Sequence, residues 1–245
     1  MSKTRDYYEA CLGEAGCLRS SKPVQFIYSK ERNVVQAGYS RRFDLYIWIE
    51  PERLVVSYGD IALDKIDDLK QQLSEELHMD EIKQLLTEIY GTAVKHTLKY
   101  EFEQLPENQT NQAYTLSAED YTDYEQFFRM QHPGAKDISW LPEYFEEMIA
   151  EGLCVVFYEN EQIVCCTDAP MMPYMAESVQ EIGINTLPNH QKKGHAYLVC
   201  CQLIKNILLV NKVPQWSTTS DNIGSQKLAQ RVGFKKLADV LMVTI

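Results

Sequence analysis

No apolar run in the 245 residues approaches the ~20 that a membrane-spanning helix requires. The opening residues, MSKTRDYYEACLGEAG, have no continuous apolar stretch and bring in acids early, so a secretory leader is not expected. Neither a CxxC pair nor a His/Cys ligand spacing occurs, so no metal is expected. Seven cysteines are too few and too awkwardly placed for a disulfide framework: the number is odd, and Cys165-Cys166 and Cys200-Cys201 are vicinal. They read as reduced, buried thiols of a cytoplasmic protein. Repeats of fixed period and low-complexity tracts are missing as well. A membrane partner is not expected, and the oligomeric state stays open.

Positive charge is also scarce. Lys and Arg number 24 against 35 acids, a net charge of −11, which argues against a general nucleic-acid binder. The distribution is uneven. From His190 to Lys236 stand Lys192, Lys193, Lys205, Lys212, Lys227, Arg231, Lys235 and Lys236, with Asp221 the one acid; that segment carries +7 and leaves −18 elsewhere. Such asymmetry suggests a polyanionic ligand on one side of the molecule, or simply a solvated basic face.

What is present reads as α/β (α+β) in two parts. Residues 1–105 form a smaller N-terminal α+β domain of unknown role. Strands are expected at Val24–Tyr28, Phe43–Ile49 and Leu54–Tyr58, helix from Ile61 to Tyr90 with Gly91 as its stop, and a further strand over Thr92–Phe102. The polar stretch from Gln104 to Gln112 reads as a linker. Residues 112–245 then alternate: a short strand at Tyr114, a helix to Met130, and a helix begun near Pro142 and ended by Gly152. A hairpin turns across Glu159-Asn160-Glu161, and a strand spans Val179–Leu187. A largely buried helix runs from Gly194 to Val210. The chain closes with a strand at Trp216, a helix from Ile223 to Val232 and a strand from Phe234.

Chemistry concentrates at one junction, where a strand ending Glu181-Ile182-Gly183-Ile184-Asn185-Thr186-Leu187 passes through a short turn into Gln191-Lys192-Lys193-Gly194-His195-Ala196. The first amides of a helix have no intrahelical acceptor, and the helix dipole adds positive charge to them. Together they form a nest for a diphosphate, with glycine allowing close approach.

This string resembles the [RQ]-x-x-G-x-[GA] acyl-CoA loop of the GNAT N-acetyltransferase superfamily. Asn222-Ile223-Gly224-Ser225-Gln226-Lys227-Leu228-Ala229-Gln230-Arg231-Val232-Gly233-Phe234 is similar to that family's second signature, N-x-x-[AS]-x-x-L-x-x-[KR]-x-G-F. Pro214-Gln215-Trp216 looks like the subgroup that includes the zwittermicin-resistance acetyltransferases. The resemblance covers about residues 112–245 and implies a GNAT-like domain whose mixed sheet is splayed and flanked by helices.

It also implies acetyl-CoA as cosubstrate, with no metal, and transfer of acetyl to a primary amine of a small molecule by direct attack. The loop Gln191, Lys192, Lys193, Gly194, His195 and Ala196 would hold the diphosphate. Backbone near Asn185 or Thr186 would face the thioester carbonyl, Asn222 would bond the pantetheine arm, and Ser225 would assist. Glu181 matches a position where many relatives carry a catalytic glutamate, and a base is needed because a protonated amine cannot attack. Asp168 and Glu177 are alternatives without motif support. Ala229 departs from the pattern, since many relatives have there a tyrosine that protonates the departing thiolate; neither Tyr197 nor His195 is assigned that role. The acidic remainder of the chain favours a cationic acceptor. Ligand sites often lie between domains, so residues 1–105 are expected to shape the acceptor pocket. Two other readings remain: a non-catalytic acyl-CoA-binding module that engages a partner, and a different nucleotide or phosphate on the same loop.

Overall fold

The computed structural model describes residues 2–74, 76–107 and 112–245. Two sheets carry the fold among those residues. The larger has seven strands: β1 (Val24–Tyr28), β2 (Leu45–Glu50), β3 (Arg53–Tyr58), β4 (Val94–Phe102), β8 (Val179–Glu181), β10 (Val213–Thr219) and β11 (Phe234–Val243), in the order β1-β3-β2-β11-β4-β10-β8. The smaller runs β5 (Tyr114–Thr115), β6 (Val155–Glu159), β7 (Gln162–Asp168), β9 (Gly183–Thr186).

Most strands fall where their composition put them. The β6–β7 hairpin turns on Asn160 and Glu161, both at positive φ (53° and 61°), which matches the right-handed twist of the flanking strands. The helical stretch from residue 61 to 90 divides into α2 (Ile66–Gln72) and α3 (Met79–Tyr90). The Glu81 carboxylate accepts from the His78 amide at 2.7 Å and starts a fresh helix there, and Gly91 closes it in the left-handed region at φ 69°. A helix without a sequence expectation, α1 (Lys3–Leu12), begins on Ser2 and stops at Gly13. It lays Tyr7, Tyr8 and Leu12 onto the sheet beside Trp48 and Val179.

The division of the chain at 105/112 does not divide the sheet. β4, before that boundary, lies between β10 and β11, which come after it, and β2 is paired to the other edge of β11. Residues 108–111 of the stretch read as a linker lie outside the described residues. Gln104 is packed so closely that a Cβ on Gly233 would stand 1.8 Å from its carbonyl oxygen.

Helices α4 (Tyr121–Gln131) and α5 (Leu141–Ala150) contribute Tyr124, Phe127, Phe145 and Met148 to a core shared with β6 and β7. α6 (His195–Leu209) packs against β6, β7, β9 and β10, and α7 (Ile223–Arg231) against β10 and β11. All seven cysteines are free and buried. No helix among the described residues is long and apolar enough to cross a membrane.

Candidate acyl-CoA and acceptor site

The strand expected over Val179–Leu187 is two strands, and the break makes the site. β8 pairs in parallel with β10 only as far as Gln215↔Glu181, and the Ile182 amide donates to the Gln215 carbonyl at 3.0 Å. Beyond Ile182 the chain leaves β10 and joins β7, with Gly183 opposite Asp168 and Thr186 opposite Cys165. Gly183 permits this: a Cβ there would stand 2.8 Å from the Asp168 carbonyl oxygen. Between β9 and the Trp216–Thr219 half of β10 the sheet is therefore open.

Ladder alternation fixes which backbone groups face the opening. The Leu187 amide donates to the Val164 carbonyl at 2.9 Å, so the Asn185 amide is turned toward β7, and the Ile184 and Thr186 amides are turned away from it. Of the two positions expected near the thioester carbonyl, Thr186 faces the gap with its backbone, and Asn185 turns its backbone away. Asn185 lines instead a cavity of about 760 Å³, walled by Tyr124, Phe128, Trp140 and Tyr144.

At the far end of β9 the chain passes through a 3-10 turn, Pro188–His190, into α6. Gly194 is the N-cap at φ 93°, a left-handed conformation suited to glycine, and no side chain caps the helix. Among the described residues the amides of Lys192, Lys193, Gly194, His195 and Ala196 have no hydrogen-bond acceptor, whereas those of His190 and Gln191 do. A Cβ on Gly194 would meet nothing within 4 Å. Gln191 reaches back to the Thr186 carbonyl at 3.3 Å. This run of unsatisfied donors at a helix N-terminus fits a diphosphate.

The charges of the basic segment are partly neutralised. Lys193 sits 3.3 Å from Glu159, Lys212 pairs with Glu151, Lys235 with Glu103 at 3.8 Å and Lys236 with Asp239 at 2.7 Å. Lys192, Lys205 and Lys227 have no carboxylate partner among the described residues, and Arg231 lies 4.3 Å over the Tyr197 ring on the neighbouring helix. The solvated-face reading thus accounts for half of the basic segment.

Glu159 also meets His190, and its carboxyl is held below the usual range chiefly by Lys193 and further by His190. His195 stacks on Phe157 at 4.1 Å, and its Nε2 is buried without a partner. Burial lowers its pKa. Ligand atoms of Glu159, His190 and His195 lie within 4.8 Å of one another, a grouping that sequence spacing gave no sign of. Lys193 occupies its carboxylate.

Asn222 is the N-cap of α7, and its side-chain oxygen accepts from the Ser225 amide at 3.1 Å. The Ser225 hydroxyl accepts from the buried indole of Trp216 at 3.0 Å. Ala229 is fully buried in the core, so that position holds no proton donor. The Tyr197 hydroxyl is engaged with Cys201, and burial raises its pKa.

Glu181 lies just before the splay, at the end of β8. It accepts a hydrogen bond from the Ser217 hydroxyl and lines a second, small cavity formed mainly by residues 7–46. Asp168 accepts from the Tyr144 hydroxyl at the floor of the large cavity, whose pKa burial and Asp168 both push up. Glu177 is exposed, with Ser178 beside it. Glu181 and Asp168 both stand at the splay, Asp168 opposite Gly183, and of the three carboxylates only Glu181 lines the small cavity. The loops at 34–39 and 169–174 separate the two cavities: Gly38 and Met171 wall the large one, Tyr39 and Pro173 the small one.

No curated protein matches the sequence. Among solved structures, a GNAT-family acetyltransferase of Colwellia psychrerythraea superposes with a TM-score of 0.51 at 17% identity, over 62% of this chain and 57% of that one. A protein ascribed to the GNAT family from Novosphingobium aromaticivorans gives 0.47 at 15% identity, over 61% and 63%. A Salmonella typhimurium protein solved with its cofactor acetyl-CoA gives 0.40 at 18% identity, over 53% and 90%. In the first two the match spans less than two thirds of the relative's own length. At 17% identity the likeness to the Colwellia protein is one of fold. Residues 62–239, well over half of the sequence and on both sides of the 105/112 boundary, match the family model of GNAT acetyltransferases, and the chain belongs to that family.

Proposed function

We propose that the protein transfers acetyl from acetyl-CoA to a primary amine of a small molecule, by direct attack of the amine. One observation carries the reading: the unpartnered amides of residues 192–196 stand at the end of a strand that has left its neighbour open. Those amides and Lys192 would receive the diphosphate. The exposed edges of β9 and β10 would take the pantetheine arm as though it were a strand, with the free amide nitrogen of Asn222 alongside. The bound thioester supplies the acetyl group.

The residues of this chain do the rest. The Thr186 and Ile184 amides face the gap and are placed to stabilise negative charge on the acyl oxygen. Glu181 takes the proton from the acceptor ammonium, directly or through water, and the Ser217 hydroxyl holds its carboxylate in place. As the N–C bond forms, the C–S bond breaks and CoA leaves as the thiolate, which takes up through water the second proton shed by the amine nitrogen. A thiol pKa near ~8.5 makes that departure feasible without a dedicated acid, in keeping with Ala229. Pro214-Gln215-Trp216 at the start of β10 supports a place in the zwittermicin-resistance-like subgroup.

The test is free-thiol release from acetyl-CoA across a panel of primary amines, alongside melting temperatures with and without CoA. Turnover with at least one amine class is expected, together with a CoA-dependent rise in Tm. A rise in Tm with no thiol released by any amine would favour the non-catalytic module. Stabilisation by nucleotides but not by CoA would remove both readings.

A further inference from the structure

Arg32 and Lys99 are among the most deeply buried charged residues of the chain, 3% and 5% exposed, and neither meets a carboxylate within ion-pair distance among the described residues. One terminal nitrogen of Arg32 donates to the Cys11 carbonyl at 2.8 Å and its plane lies 5.3 Å over the Tyr46 ring, but its Nε is buried without a partner. The Lys99 ammonium lies 5.9 Å over the Tyr8 ring and makes no hydrogen bond. Glu31, next to Arg32 in the chain, is turned to Gln36 and Tyr174. An isolated buried charge is strongly unfavourable, so two of them around one cavity call for an explanation.

Both line the small cavity, together with Tyr8, Tyr39, Tyr46 and Glu181. Strand register sets the arrangement: Lys99 on β4 is directly opposite Ser217 on β10, and Ser217 donates to Glu181 on β8. The cage thus holds two cations and one carboxylate, an excess of one positive charge. Its volume, about 20 Å³, is room for a water or two, so only a small end group of an acceptor would enter it.

We propose that this cage is the subsite for a carboxylate of the acceptor, so that the acceptor is an amino carboxylate whose anion seats between Lys99 and Arg32 while its amine stands at Glu181. The inference rests on the transferase reading above and narrows its substrate class. A bound monoanion balances the buried charge, supplies the missing partners of Lys99 and the Arg32 Nε, and orients the amine toward the splay. It also reconciles a cationic pocket with an acidic protein, because a zwitterion answers to both.

The test pairs amino carboxylates with their carboxamides, which keep the amine and lose the negative charge, each compared at equal concentration of free amine. With wild-type protein the carboxylates are expected to show a KM lower by roughly tenfold or more. Lys99→Met, close in length and apolar, should abolish that preference while CoA still raises Tm. Equal use of acids and amides by wild type, or a preference that survives Lys99→Met, overturns the subsite and leaves the transferase reading intact. If no amine releases thiol, the transferase reading fails separately, and calorimetric titration of free amino carboxylates then decides. Binding to wild type and not to Lys99→Met upholds the cage; no binding to wild type overturns it.

Discussion

Two sets of cations flank the broken strand, and they live in different solvents. Lys192 and Lys193 stand at the α6 turn in water, and the Lys193 side chain keeps 45% of its surface exposed. Lys99 and Arg32 lie beyond Glu181 under α1 and the residue 34–39 loop, almost without solvent. The exposed pair needs no ligand to be tolerated; it adds long-range attraction that salt screens. The buried pair is unfavourable until something negative arrives. Equal formal charges therefore point to different tasks, attraction at one end and selection at the other.

Exchanging Glu181 for Gln should have the largest effect. Turnover is expected to fall by about 10²–10⁴ for acid and amide acceptors alike, with the CoA-dependent Tm rise retained. Lys99→Met, by contrast, should act on acids only. A Glu181→Gln enzyme of undiminished kcat would sink the base assignment.

Stability should separate the two sets next. Replacing a buried, unpaired ammonium by an apolar chain is expected to raise unfolding free energy by about 1–3 kcal/mol. Lys192→Met should change it by no more than about 0.5 kcal/mol. Urea denaturation of both variants without ligand reads this directly, and a destabilised Lys99→Met would mean that the lysine has a partner in the empty protein.

The pH dependence should distinguish them again. Burial lowers the pKa of Lys99, with Glu181 opposing and Lys95 reinforcing the shift. Since its folded pKa is depressed, Lys99 loses its proton before an exposed lysine does as pH rises. Tyr7, Tyr8, Tyr39, Tyr46, Tyr174 and Cys11 face the same cavity and are all shifted upward by burial. The roughly tenfold acid-over-amide ratio should therefore fade on the alkaline side while the KM for acetyl-CoA is still steady. Because the carboxamide lowers the pKa of its own amine, the ratio is taken after each acceptor's amine titration has been measured and divided out. A ratio that holds while CoA affinity falls first would reverse the comparison.

Salt gives the smallest expected effect. Alanine at both Lys192 and Lys193 should weaken CoA binding about two- to fivefold at low ionic strength and very little at high salt. The acid-over-amide ratio should respond to salt much less, because its cations are buried.

The diphosphate turn was legible because its signal is local. A strand end, a polar turn, Gly194 and the start of an apolar helix are contiguous, and the unsatisfied amides follow from helix geometry alone. Gly183 was quoted with the same motif, but its role was not legible: it is glycine because Asp168, fifteen residues earlier, comes within contact distance. The cage was illegible altogether. Arg32, Lys99 and Glu181 come from distant parts of the chain, and no periodicity links them. The grouping of Glu159 with His190 and His195 escaped for the same reason, since the hairpin tip meets the turn only in three dimensions. α1 was missed because charged and polar residues interrupt its apolar face, although Ser2 and Gly13 mark both its ends.

By itself the sequence determined most strands, the helices after residue 112 and the amide-rich turn at Gly194, all set by residues within a few positions of one another. Only the tertiary structure decided that β4 joins the two parts of the chain in one sheet, that the strand after Glu181 swings away from β10, and that two buried cations line the same cavity as that carboxylate without pairing to it directly. Pairing and burial are long-range: a side chain's solvent and partners depend on which distant segments close over it, and that information is not carried by its neighbours in the chain.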